Sequence, residues 1–498
     1  MELGQKMLKA IRGAHPGSKP TVAASSQTRE DGVSYALVEL DGVELLCVSG
    51  AAGSARGFGT AEEIRASGGV VSLCHLNHEN ASELRRRLAF TAPSTLGKTD
   101  ITIGVGDRLG MAGRGHIRAF RGYKANPVLA QQSVRELTLT SRSFAEVLDS
   151  STWAVFAEGF RAPWGADGDH LKAVEKVAEA LAAGFTMITA DVSDHLHTRF
   201  LAAGDAEAEA AYSALDAAYR KDVEDRYLSR PFQAAGSQVS FTRPVLMKTV
   251  LAYRDSLDHA AALYRAGTSV ARAGGFDFEL SIDETDSPTS PQAHVFMALE
   301  ARRKGVTVTS IAPRFVGEFQ KGIDYIGSVK DFEAGFAVHA GIAETLGHRI
   351  SVHSGSDKFS VFPAVGRLSR GRFHLKTAGT SWLEALRVIS SADLPLFRDL
   401  YNRALERYQA ARAYYHVTPD LSRLPASAEM LDEKSAPALL EDADARRLLH
   451  ITYGEMLAVP ELKKRFFGVL SAKAEAYRTG LQSHIGRHLQ TLGVPKNR

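Results

Sequence analysis

The spacing of apolar and polar positions changes character along the chain. Residues 34–41 (SYALVELD) and 43–49 (VELLCVS) read as two strands. The Asp41-Gly42 pair between them reads as a tight hairpin turn, because both of its residues tolerate positive φ. Residues 1–17 (MELGQKMLKAIRGAHPG) read as a short amphipathic helix ahead of that hairpin. A glycine-rich stretch from Gly50 to Gly59 follows, and a helix is expected from Thr60. From about residue 100, short β-rich runs alternate with segments of helical period. The expected strands are 101–107, 127–133, 153–160 (WAVFAEGF), 185–192, 276–284, 306–314, 348–355 and 372–379. Residues 292–304 (QAHVFMALEARRK) are the clearest helix between them.

Eight such units in order predict a parallel sheet closed as a TIM-type (β/α)8 barrel. Residues 196–270 are too long for one crossover and rich in Ala, Glu and Arg, so a helical insertion is expected there. The tail after residue 395 is helical and charged, and is expected to pack on the outside of the barrel. The predicted organisation is an N-terminal extension with a β-hairpin (1–98), a barrel domain (99–395) and a helical C-terminal region (396–498).

Composition narrows the class. Of 498 residues, 44% are hydrophobic and 23% charged, which suits a folded globular chain and excludes a disordered or fibrous one. A net charge of +3 gives no sign of nucleic acid or of an anionic membrane surface. No apolar run is long enough for a transmembrane helix or a secretory signal, so no membrane partner is expected. Two cysteines, Cys47 and Cys74, cannot build a disulfide framework, and the expected compartment is the reducing cytoplasm.

In this fold, chemistry sits at the C-terminal strand ends. Asp107, Arg108, Glu158, Asp191, Asp283, Glu284, Arg314, His353 and Lys376 fall at such ends. Trp164-Gly-Ala-Asp-Gly-Asp-His170 reads as a mobile loop whose Asp167, Asp169 and His170 suit a divalent cation. The plainer reading of Asp169 is an N-cap for a helix from Leu171. Asp191, Asp194, His195 and His197 offer a second ligand set or a cap. Of Asp283 and Glu284, strand alternation lets at most one face the mouth. Glu318, Gln320 and Lys321 combine hard oxygen donors with a cation for an anionic substrate. His353, followed by Ser354 and Gly355, is a candidate ligand, whereas His339 reads as a packing residue in mid-helix. Cys74, His75 and His78 lack a second ligand pair, and the Gly50–Gly59 stretch matches neither phosphate-binding fingerprint, so both read as ordinary structure. No nucleophile elbow and no dinucleotide fingerprint are present.

Several runs resemble the tagaturonate/fructuronate epimerase family. They are GVGDRLGMAGRGHIRA (104–119), WGADGDHLK (164–172), DETDSPTSPQAHVFMALE (283–300), APRFVGEFQKGIDYIG (312–327) and ISVHSGSDKFSVFPAVGRLSRGRFHLKTAGTSWLEALR (350–387). The resemblance covers about residues 100–420. It implies a metal-dependent epimerase that interconverts D-tagaturonate and D-fructuronate. It points to His170, His353 and Gln320 as metal ligands and to Asp169 and Glu284 as proton acceptor and donor. Arg314, Lys321 or Lys358 would pair the substrate carboxylate. The cation is divalent, with Zn, Mn, Ni, Co and Fe not distinguished. The expected partner is a small sugar acid, and a homo-oligomer is left open. The alternatives are another divalent-metal sugar isomerase, epimerase or aldolase, and a barrel that binds a sugar acid without catalysis.

Overall fold

A computed structural model describes residues 2–66, 69–377 and 379–497, so residue 378 of the expected eighth strand lies outside them. Eight parallel strands close into a barrel. In chain order they are Ile101–Val105, Asn126–Ser133, Gly165–Leu171, Met187–Asp191, Asp277–Ile282, Ser310–Pro313, Arg349–Val352 and Phe373–Thr377, called strands 1 to 8 below. Strand 8 pairs with strand 1 in register, Phe373 beside Ile101 and Thr377 beside Val105, and this closes the cylinder.

Seven of the expected strands are present within a few residues, and the third is not where it was expected. Residues 153–160 lie at the end of a buried helix, Phe144–Glu158. Ser143 and Glu146 form a capping box at its start and Gly159, φ 56°, ends it in left-handed backbone. A short apolar run looks alike in a fully buried helix and a buried strand, and here the caps decide. The third strand is Gly165–Leu171, the segment expected to be a loop. Its composition misleads because its inward face carries acids. Gly168 has no room outside: a Cβ there would stand 2.8 Å from Leu171 Cδ1 and 3.2 Å from Ala180 Cβ. Leu171 therefore belongs to a strand, the following helix is Val174–Ala183, and Asp169 caps nothing.

The hairpin and the amphipathic first helix are present. Val33–Leu40 pairs antiparallel with Val43–Gly50, and Asp41 and Gly42 both have positive φ. The first helix, Glu2–Ala14, buries Met7 and Ile11. Residues from Thr60 form a strand, Thr60–Ala66, rather than a helix; it pairs with Gly69–His75 and presents Ile64 to the interior at every-other-residue spacing. Cys74 is a buried sheet residue.

Between strands 4 and 5 lie three short helices, a small two-stranded hairpin (Phe232–Ala234 with Ser237–Val239) and the 28-residue helix Arg243–Val270. That long helix packs between Val174–Ala183 and Pro291–Arg303, so it takes a place in the barrel's own helical ring. The C-terminal helix Ala474–Thr491 packs outside, against Gly113–Phe120, as expected of the tail. Its close approach is set by Gly115, where a Cβ would fall 2.7 Å from Leu481 Cβ. Helices from Thr380 onward bury a second apolar core around Trp382, Tyr401 and Tyr453. The segment Tyr414–His416 from this region reaches the barrel mouth. Among the described residues, no helix is long and apolar enough to cross a membrane.

Candidate functional site

The inside of the barrel is lined with ionisable side chains where aliphatic ones are usual. Strand alternation turns Asp167, Thr189 and Glu279 into the lumen, and register puts Thr189 beside Glu279 and Glu279 beside Ser310. Thr189 Oγ1 lies 3.0 Å from Asp167 Oδ2, and Ser310 Oγ donates to Glu279 Oε2 at 2.6 Å. From strand 8, Lys376 pairs with Asp169 and lies 3.5 Å from Asp167 and 3.8 Å from Glu279. Burial opposes the charge on Lys376, but the surrounding carboxylates raise its pKa.

Strand 3 contains the feature that builds the site. Ile188 pairs with Gly168 and Ala190 with Leu171, so Asp169 and His170 together face the single residue Thr189. This is a β-bulge, and His170 pays for it with a left-handed φ of 52°. The extra residue lets neighbouring side chains, Asp169 and His170, both reach the mouth. His170 Nδ1 lies 3.6 Å from Asp191 Oδ2, and Nε2 lies 3.8 Å from Asp169 Oδ1. His353, just past strand 7, places Nε2 2.6 Å from Glu279 Oε1 and Nδ1 3.2 Å from Asp283 Oδ1. Burial alone would lower the His353 pKa, but Asp283 and Glu279 outweigh it and raise it to about 9. The two imidazoles meet edge to face, 4.9 Å between centroids.

Among the described residues, this cluster holds five carboxylates (Asp167, Asp169, Asp191, Glu279, Asp283) around one lysine and two histidines. The excess of negative charge suits a cation. His170 Nδ1 and His353 Nδ1 are buried without completing a hydrogen bond. Imidazole nitrogens beside carboxylate oxygens are a donor set for a divalent transition metal, and Glu279 would hold His353 as a supporting carboxylate does.

Above the cluster is a cavity of about 310 Å³. Asp169, His170, Asp283, Glu284, Arg314, Gln320, Lys321 and His353 all line it. Asp283 and Glu284 both face it, because the strand ends at Ile282 and alternation no longer applies. Part of the lining is basic. Lys321 Nζ donates to Ser354 Oγ at 2.9 Å, and burial and the nearby Arg135 lower its pKa. Arg108 stacks on the Tyr453 ring at 3.8 Å and pairs with Glu136 at 2.9 Å. Arg135 stacks on Tyr415 at 4.5 Å, which brings the C-terminal region over the mouth.

A family model described as tagaturonate epimerase matches residues 24–492. A tagaturonate/fructuronate epimerase of Thermotoga maritima is 39% identical over 480 residues, 96% of this chain and 98% of that protein. The chain belongs to the tagaturonate epimerase family. The native crystal structure of the fructuronate-tagaturonate epimerase UxaE from Cohnella laeviribosi, 42% identical, superposes with a TM-score of 0.92 over 99% of this chain and 100% of that one. A glycerol complex of the same enzyme, 41% identical, gives the same score and coverage. As a tagaturonate epimerase family member, the chain is an isomerase of the epimerase type.

Within this family member, the remaining expected residues sort themselves by what they touch. Gln320 lines the cavity, but its amide is engaged. Nε2 donates to Glu318 and Thr418, and Oε1 accepts from Thr418 N and Arg447 Nη1 at 3.2 Å each. It ties the C-terminal roof to the loop after strand 6. Lys358 is fully buried off the cavity wall, and its ammonium donates to three carbonyls, of Gln320, Ile323 and Ser356. It clamps the loops after strands 6 and 7 together. Arg314 lines the cavity with one arm donating to Thr285 O. Asp194, His195 and His197 stay outside, paired with Lys172, stacked on His259 and paired with Asp255 respectively. Glu158 ends a helix and pairs with Arg118 and Arg121. His339 is buried between two helices, as expected of a packing residue. Glu279 and Arg135 were missed by sequence reasoning. A glutamate at an inward position of the apolar run FDFELSI was the available signal for Glu279; nothing marked Arg135.

Proposed function

We propose that this enzyme interconverts D-tagaturonate and D-fructuronate at a divalent cation held by His170 and His353, with a carboxylate oxygen of Asp283. The observation that supports this most is the polarity of the cavity. A histidine–carboxylate cluster forms its floor and Lys321 and Arg314 stand on its wall. A ketouronate has matching ends, a hydroxyketone and a carboxylate. Lys321, with one hydrogen bond to Ser354, keeps donors for that carboxylate.

The two ketouronates differ at a carbon β to both the ketone and the carboxylate, so its C–H is not acidified by enolisation. The reading is therefore retro-aldol cleavage, rotation of the aldehyde fragment and re-addition. A base takes the proton of the hydroxyl on the epimerised carbon, and the bond to the carbon α to the ketone breaks. Its electron pair passes to the ketone as an enediolate, and re-addition on the other face restores the bond. Burial favours the neutral acid, but Lys376 together with His170 and His353 outweighs it and keeps Asp169, which lines the cavity, ionised as the proton acceptor of this reading. Glu284, which also lines the cavity, returns a proton to the new hydroxyl in this reading. A bound divalent cation would supply the Lewis acidity that lets so weakly basic a carboxylate deprotonate a hydroxyl and that stabilises the enediolate.

Proton NMR of D-fructuronate in D₂O, with chelator-treated protein and with Mn or Zn restored, tests the reading. The expected result is metal-dependent D-tagaturonate with no deuterium at the epimerised carbon. Deuterium at that carbon would overturn the carbon–carbon cleavage; unchanged substrate with every metal would overturn the activity.

A further inference from the structure

A second ligand-like cluster lies on the last helix, away from the cavity. Ala474–Thr491 carries His484 and His488 one turn apart, so both imidazoles leave the same face. Opposite them, the turn after strand 7 presents Asp357 in left-handed backbone, φ 61°. Asp357 Oδ1 lies 2.8 Å from His484 Nε2 and 3.6 Å from His488 Nε2. The three donor atoms lie within 4.8 Å of one another. Around a tetrahedral zinc with bonds of about 2.0–2.1 Å, ligand atoms stand about 3.3 Å apart. Little movement separates these side chains from that arrangement.

Their surroundings fix the nitrogens that face inward. His488 Nδ1 donates to the carbonyl of His484 at 2.9 Å, so its Nε2 carries the lone pair. His484 Nδ1 faces Glu384 Oε1 at 3.6 Å, the carboxylate–histidine pairing that leaves Nε2 as the donor to a metal. Arg446 holds Asp357 Oδ2 at 2.8 Å and leaves Oδ1 turned toward the imidazoles. Asp357 Oδ1 and His484 Nε2 are buried and complete no aligned hydrogen bond. The Asp357 N–H donates to His488 Nε2 at 3.1 Å; a cation would displace that contact and the 2.8 Å approach of His484 to Asp357. Phe359 and Phe362 cover His488, at centroid distances of 4.9 and 5.4 Å.

We propose that Asp357, His484 and His488 form a second cation site, which takes zinc and ties the last helix to the loop carrying His353 and Ser354. The site is structural. It stands apart from the epimerase reading, which survives if the site fails.

The test uses the full chain, stripped with a chelator and equilibrated with zinc chloride. With His170→Ala and His353→Ala removing the imidazoles of the mouth, the protein is expected to keep one zinc per chain. Adding His484→Ala and His488→Ala is expected to abolish it. Zinc is expected to raise the thermal midpoint of the first variant and not of the second. No zinc in the first variant at micromolar free metal, or equal zinc in both, overturns the proposal and leaves the cluster as an ion pair of His484 with Asp357. An anomalous difference map at the zinc edge, from wild-type crystals soaked in zinc chloride, decides the point without any substitution. A peak between the three side chains supports the site, and no peak there overturns it.

Discussion

Lys321 and Lys358 stand in the loops after strands 6 and 7 and are opposite in use. Lys358 spends its ammonium on three backbone carbonyls, whereas Lys321 has one hydroxyl partner and faces the cavity. Lys321→Ala therefore removes a charged hydrogen bond to the substrate carboxylate. That is worth about 1.5–3 kcal/mol, or roughly a 10- to 100-fold rise in KM. Because the carboxylate is remote from the bond that breaks, kcat is expected to change little. Steady-state kinetics check this; a fall in kcat at constant KM would move Lys321 into the proton relay.

Three buried histidines show how elements are joined. His348 starts the approach to strand 7, His294 sits on Pro291–Arg303 and His339 on Val329–Leu346. His339 Nε2 donates to Thr289 O at 3.1 Å, so its Nδ1 accepts from His294 Nδ1 at 3.0 Å. His294 Nε2 then accepts from His348 Nε2 at 2.9 Å. Every hydrogen bond in this chain is made with all three rings neutral. Burial lowers the pKa of each, to about 4 for His339 and about 3 for His348. The unfolded chain binds protons at these rings below about 6.5 and the folded one does not. Their contribution is thus undiminished above that pH and falls as the pH drops toward 4. Between pH 7.5 and 5.5 the loss is about 1.4 kcal/mol per ring. Urea denaturation of the wild type and of His348→Phe at the two pH values checks it, and an equal pH dependence in both would mean that His348 contributes none.

The same scale shows what could be read beforehand. Seven strands were legible because apolar runs of strand length sit between helix-length segments. The third was hidden because Asp167 and Asp169 replace aliphatic residues on its inward face, and period-two patterning then reads as a polar loop. The hydrophobic run that displaced it, WAVFAEGF, is apolar all round because its helix is buried. That His353 and Glu284 line the mouth was legible from strand-end position; that Asp169 and His170 do so was legible from the acids and histidine of a segment read as a loop. The roles of Lys358 and Gln320 were not, because a residue type does not say whether its donors are spent on backbone or kept for a ligand.

At the scale of the molecule, the mouth is assembled from parts distant in the chain. Gln320 is held by Thr418 and Arg447, and Tyr414–His416 complete the cavity wall. Arg447→Ala, which removes one of those ties, is expected to reproduce Gln320→Ala. Both should raise KM several-fold and leave metal affinity unchanged, because the roof loosens while His170 and His353 stay in place. Metal titration of the two variants checks this, and a loss of affinity in Gln320→Ala alone would make Gln320 a ligand.

Barrel closure also imposes an order in time. Thr102 bonds to His374 across the last seam, and 272 residues separate them. At ribosomal rates of about 5–20 residues per second, the first strand waits on the order of tens of seconds for its neighbour. Throughout that interval one edge of the nascent sheet has unpaired peptide groups, open to any other extended chain. A transcript truncated before residue 377 would leave that edge exposed for the lifetime of its product. Quality control, rather than catalysis, is where such a fragment would first be noticed.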